Sequence, residues 1–116
     1  MVKIAVQYER GFGLSRLGHF EDHDGFDGVM LGHAQSPWHL EFTHHRGHTV
    51  GRPPTQDNLL VFYVADAVAQ VRAKQQMLTA GFVSVQAYNP YWDRDGATLE
   101  DRDGYRVVLQ VGEWTP

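Results

Sequence analysis

"NLLVFYVADAVAQVRAKQQMLTAGFVSVQAY", residues 58–88, is the stretch on which the fold turns. Its opening run of β-branched and aromatic residues has no polar alternation, the pattern of a buried strand. Asp66 follows as a helix N-cap, and Gly81 stands where a C-terminal cap belongs. Between them, Val68, Val71 and Leu78 mark the expected buried stripe of a helix. "FVSVQAY" then reads as a strand, "NPYWDRDG" as a loop, "ATLED" as a strand, "DRDG" as a turn and "YRVVLQV" as the last strand. Residues 58–116 are therefore expected to form β-α-β-β-β, with Leu60, Phe62, Val107 and Leu109 turned toward the helix as core.

Upstream the same plan recurs. "GLSRLGHFED" and "GFDGVMLGH" read as strands joined by "DHDG", and "AQSP" turns the chain into "WHLEFTHH". In that strand Trp38, Leu40 and Phe42 alternate with His39, Glu41 and Thr43, which gives one apolar and one polar face. Gly13-Leu14 opens a three-strand run that reaches Glu41 about 28 residues later, and Gly81-Phe82 opens one that reaches Val108 about 27 residues later. This spacing is an internal repeat of a supersecondary unit. The first copy is expected to lack its opening strand and part of its helix. Residues 1–45 form this truncated first module, 46–57 a Pro- and Gly-containing linker, and 58–116 the complete second module. "MVKIAVQY" stays open between two readings: Val2, Ile4, Val6 and Tyr8 alternate like a strand, whereas the stretch also suits a helix end.

The remaining composition narrows the function classes. The chain has 116 residues, a net charge of -4 and no cysteine. One compact α+β domain is expected. The mildly acidic balance argues against nucleic acid or an anionic membrane as a main partner, and the missing cysteines exclude a thiol nucleophile or zinc-thiolate site. With no recognisable leader or membrane span, a cytoplasmic protein is expected.

Tandem βαβββ modules, together with "YERGFGL", "HLEFT" and the "EDRDGYRVVL" turn and strand, resemble the vicinal oxygen chelate superfamily. That group includes glyoxalase I, bleomycin-resistance proteins and extradiol dioxygenases. The resemblance covers nearly the whole chain, with Arg102 where the turn usually carries proline. "NPYWDRDGATLED" and "LLVFYV" resemble a bacterial branch of it. It implies a curved sheet with helices outside and a ligand cavity on the concave side. In metal-dependent members, each module contributes ligands from its first and last strands. By position these fall at Glu41, Leu59, Val108 and on the absent strand, so one donor of four survives.

All seven histidines lie between His19 and His48, which makes a metal site a fair question. His39 and Glu41 share a face, but same-face neighbours sit roughly 6–7 Å apart along a strand. A divalent ion needs several donors converging on one point. The expectation is therefore no cofactor, with a divalent metal at Glu41 and His39 as the alternative. The reading that results is a small organic ligand held without metal by His39, Glu41, Thr43, Leu59, Tyr63, Arg106 and Val108. Tyr91 and Trp92 would close over that ligand or stack on it, unless they plug the core. Glu41 is the candidate ligand anchor or general base; pairing with Arg106 or with a histidine of the neighbouring strand is its alternative. The rival functions are a metal-dependent lyase, isomerase or dioxygenase using Glu41, and an inactive remnant. The open edge left by the missing strand, and family cavities built between modules, imply a homodimer.

Overall fold

The structure, a computed structural model, describes residues 2–49 and 51–115, with the side chain of Val2 excepted. Helix α1 (Val2–Phe12) leads into strands β1 (Ser15–His23), β2 (Phe26–Gly32) and β3 (His39–His45), which form an antiparallel sheet in that order. After the irregular linker come β4 (Leu59–Val64), α2 (Ala67–Thr79), β5 (Val83–Val85), β6 (Gly96–Glu100) and β7 (Arg106–Val111). A 3-10 turn (Pro90–Asp93) sits between β5 and β6. The second sheet runs β4-β7-β6-β5, with β4 parallel to β7 and the other pairs antiparallel. The second module is thus βαβββ. The described part of the first is αβββ, without a counterpart of β4.

The ambiguous first segment is a helix because that geometry gathers its large apolar groups. Ile4, Ala5 and Tyr8 are all buried, at the i, i+1 and i+4 spacing of one helical face. A strand would have turned Ala5 away from Ile4 and Tyr8. The Tyr8 ring lies 5.6 Å from Phe12, 4.9 Å from Phe42 and 5.2 Å from Phe82, so α1 ties both modules into one aromatic core. Gly13 and Gly81 follow the two helices at equivalent places, with φ of +67° and +97°. Both adopt the left-handed conformation in which a side chain is strained, and the expected repeat is thereby matched at its two turns.

Two expected core assignments are corrected. On α2, Asp66 does cap, accepting a hydrogen bond from the Ala69 N–H at 2.8 Å. Val68, Val71 and Leu78, however, are exposed at 61%, 56% and 37%, and Met77 is the buried residue. The inward face carries Gln70, Ala73, Met77 and Ala80. Gln70 Nε2 donates to the carbonyls of Leu109 (2.9 Å) and Asp95 (3.1 Å), so a polar residue faces the sheet with its hydrogen bonds made. The small Ala80 lies against α1 beside Gly11, where a Cβ would come within 2.8 Å of the Phe82 ring. The second correction is Leu60, which is 40% exposed although Phe62, Val107 and Leu109 pack in the core as expected. Leu60 lies on β4, whose outer edge has no strand partner among the described residues. The outer edge of β3 is equally unpaired.

Candidate functional site

The two unpaired edges frame a cavity of about 530 Å³. Glu41, Phe42, Thr43 and His44 all line it. Successive residues of a strand point to opposite faces, so four in a row mean that the cavity abuts the backbone edge of β3. Ile4 and Tyr8 of α1 and Leu60 of β4 supply apolar surface, while Asp101, Asp103 and Tyr105 of the β6–β7 turn supply a polar rim.

In the cavity wall a buried hydrogen bond joins the modules. Tyr8 Oη donates to Asp101 Oδ2 at 2.7 Å. Asp101 Oδ1 accepts the N–H groups of Asp103 (2.8 Å) and Tyr105 (3.0 Å), which builds the tight turn. Burial pushes the Asp101 carboxyl above the ordinary carboxylate range, against the opposing pull of these three hydrogen bonds. Burial, followed by the neighbouring Asp101 charge, pushes the Tyr8 hydroxyl far above its usual value. Tyr8 therefore stays protonated and acts as a donor.

Of the residues expected from sequence, Glu41 and Thr43 reach this cavity. His39 stands beside Glu41, with Nε2 3.5 Å from Oε2, and both side chains are about half exposed. The alternative pairing of Glu41 with Arg106 does not form. Arg106 is buried and donates instead to Glu100 Oε2 (3.2 Å) and the Gln86 carbonyl (3.1 Å), because cross-strand register places Glu100 directly opposite it. Glu100 also accepts from Arg52 at 2.8 Å. Leu59, Tyr63 and Val108 lie on the second sheet and do not line the cavity. Val108 is fully buried and Tyr63 is exposed. Tyr91 and Trp92 sit edge-to-face, 4.9 Å apart, in the 3-10 turn packed on β6, also outside the cavity.

Sequence reading missed Tyr8, Asp101 and Tyr105 as site residues. "DRDG" signalled the turn, but nothing local signals that its first aspartate meets a tyrosine 93 positions earlier. Also unforeseen are Thr98 Oγ1 and Gln110 Oε1 on the second sheet, buried polar atoms with no partner among the described residues.

The metal that the superfamily implies does not fit these residues. Leu59 and Val108 carry no donor atoms, and among the described residues no three His, Cys, Asp or Glu side chains group closely enough to hold an ion. Among the described residues, no helix is long and apolar enough to cross a membrane.

Comparison with known proteins decides the family. Residues 57–111 match the profile of the YycE-like C-terminal domain, and residues 1–43 that of the YycE-like N-terminal domain. The uncharacterized protein YycE of Bacillus subtilis is 44% identical over 102 residues, which span 88% of this chain and 73% of that protein. The chain belongs to the YycE-like family. The crystal structure of Bacillus subtilis YycE, a protein of unknown function, superposes with a TM-score of 0.88 at 39% identity, covering 98% of this chain and 83% of that one. More distant structures share the fold. A glyoxalase-related enzyme from Fulvimarina pelagi gives a TM-score of 0.70 at 14% identity, covering 97% of this chain and 80% of that one. Glyoxalase I from Zea mays gives 0.68 at 20% identity, covering 96% of this chain and 42% of that one. This YycE-like chain therefore has the vicinal oxygen chelate fold, as its modules implied.

Proposed function

We propose that this YycE-like protein binds a small organic molecule in the cavity beside Glu41, without a metal ion, in the bacterial cytoplasm. The cavity itself carries the reading. Its volume of about 530 Å³ falls within the roughly 300–1,000 Å³ typical of small-molecule pockets. The lining combines apolar groups from Ile4, Phe42 and Leu60 with the polar groups of Glu41 and Tyr105. A half-exposed carboxylate over apolar surface anchors a ligand bearing a hydroxyl, amide or ammonium group on an otherwise apolar body. Thermal-shift screening followed by calorimetry tests the reading. Ligands found this way are expected to lose about tenfold or more in affinity in Glu41→Gln, the loss of one charge-assisted hydrogen bond. Trp92→Phe should leave them unchanged. A broad library without a single shift, or hits indifferent to Glu41→Gln, would remove the support.

The enzyme reading is separated by metal content. Untagged protein purified without added metal is expected to hold far less than one equivalent of zinc, nickel, manganese or iron by plasma mass spectrometry. Near-equimolar metal that disappears in Glu41→Ala would favour the metal-dependent alternative instead.

The partner proposed for the chain is a second copy of itself. The free N–H and C=O groups along β3 and the exposed Leu60 are groups that association would cover. Light scattering should give about twice the 13.2 kDa chain mass, with β3 amides protected from exchange. A monomer whose alternate amides across His39–His45 exchange fast would show that the edge stands bare.

A further inference from the structure

A second concavity lies on another face of α1, away from the Glu41 cavity. It is a groove of about 340 Å³ between α1, the end of α2 and the β6–β7 turn. Lys3, Gln7 and Arg10 recur at helical spacing on one side of α1, and Arg102 faces them from the turn. Val6, Ala80 and Gly81 complete the lining, so no carboxylate is among the groups that form it. This is unexpected on a chain with 14 acidic residues against 10 Lys and Arg.

Among the described residues Arg16, Arg46, Arg52 and Arg106 have carboxylate partners. Lys3, Arg10 and Arg102 have none, so three of the six unpaired cations converge on one groove. Gln7 adds a fourth donor. Its side chain is buried at 6% exposure, and Oε1 accepts the Arg102 N–H at 3.0 Å. That bond fixes the carboxamide, leaving Nε2 as the free donor facing Gly81. Every hydrogen-bonding side chain in the groove therefore offers a donor, and three of them carry positive charge. Like charges lining one groove repel one another, and a multiply charged anion relieves this repulsion.

We propose that this groove is a binding site for a phosphoryl dianion, whether free or borne on a larger molecule. Three cations outweigh its two negative charges, and its peripheral oxygens can accept from the guanidinium forks and the Gln7 amide at once. The site is independent of the Glu41 cavity and stands or falls without it. The Lys3, Arg10 and Arg102 side chains are exposed. Arg10 and Arg102 bond to Gln76 and Gln7 through their backbone atoms, so substitutions there spare the fold.

Calorimetry with inorganic pyrophosphate at low ionic strength tests the site. Saturable binding is expected, weakened about tenfold or more by Arg10→Gln and by Arg102→Gln, as loss of a charge-assisted hydrogen bond implies. Arg72→Gln, an exposed cation on α2 outside the groove, should leave it unchanged. Vesicles containing phosphatidic acid form a second arm. If they bind through Arg10 and Arg102 while pyrophosphate does not, the phosphoryl group is carried by a lipid. The proposal is overturned if neither probe binds saturably, or if Arg72→Gln weakens binding as much as the groove variants do.

Discussion

Asp101→Ala is expected to lower the unfolding free energy by about 3 kcal/mol, although it removes one small side chain from a turn. The carboxylate accepts three hydrogen bonds, two within the turn and one from Tyr8. Its loss leaves a buried tyrosine hydroxyl without a partner and two turn N–H groups to find water. The Tyr8–Asp101 bond spans 93 positions and links α1 to the β6–β7 turn, so the damage reaches the contact between modules. Asp101→Asn keeps the turn acceptor, and its amide can donate to a reoriented Tyr8 hydroxyl, so it should stay within about 1 kcal/mol of wild type at neutral pH. The two also differ in pH dependence. Burial raises the folded-state pKa of Asp101 above its ordinary 3.8, so the folded chain holds this proton more tightly than the unfolded chain. That contribution is complete below about 3.8 and fades as pH rises through the raised value. Urea titrations from pH 3 to 8 should show the contribution in wild type and lack it in Asp101→Asn. An alanine variant within 1 kcal/mol of wild type would mean that the turn and Tyr8 do not depend on this carboxylate.

The same contact shows where sequence reading stops. Period-2 alternation puts His39, Glu41 and Thr43 on one face, and all three are exposed while Leu40 and Phe42 between them pack on the core. The paired glycines at 13 and 81 marked the module repeat because both need the left-handed conformation. These signals are local, and they survived folding. The Val68, Val71 and Leu78 stripe failed because apolar spacing fixes a helix face, not what packs on it. Here α1 crosses close to α2, and the sheet-facing side holds a glutamine bonded to backbone carbonyls. Arg106 pairs with Glu100 and not with Glu41, the partner weighed from sequence, since the two carboxylates are equally plausible until strand register is known. The Glu41 cavity itself lies between edges of two sheets far apart in the chain, and no window of sequence describes such a gap.

Gly96→Ala tests whether the β5–β6 loop is held as rigidly as its contacts suggest. A Cβ at Gly96 would lie 2.2 Å from the carbonyl oxygen of Trp92 and 2.8 Å from Gln110 Oε1. The backbone obstacle is the decisive one, because a main-chain carbonyl cannot swing aside as a side chain does. The 3-10 turn that carries it is fixed at both ends: Asn89 Oδ1 accepts the Tyr91 N–H at 3.0 Å, and the Asp95 carbonyl accepts the Val111 N–H at 2.9 Å. Adding one methyl must therefore displace the turn or bend β6 beneath it, at an expected cost of about 2–3 kcal/mol. Gly28 is the built-in comparison. A Cβ there would also come within 2.2 Å of a neighbour, but that neighbour is the Phe20 ring, which can rotate toward solvent. Gly28→Ala should cost about 1 kcal/mol or less. Denaturant titration of the two variants gives the energies, and the ¹⁹F resonance of fluorotryptophan at Trp92 reports whether the turn has moved. Gly96→Ala is expected to shift that resonance and Gly28→Ala to leave it in place. Equal costs with an unmoved Trp92 signal would mean that the loop yields freely and that Gly96 is not what seats it on the sheet.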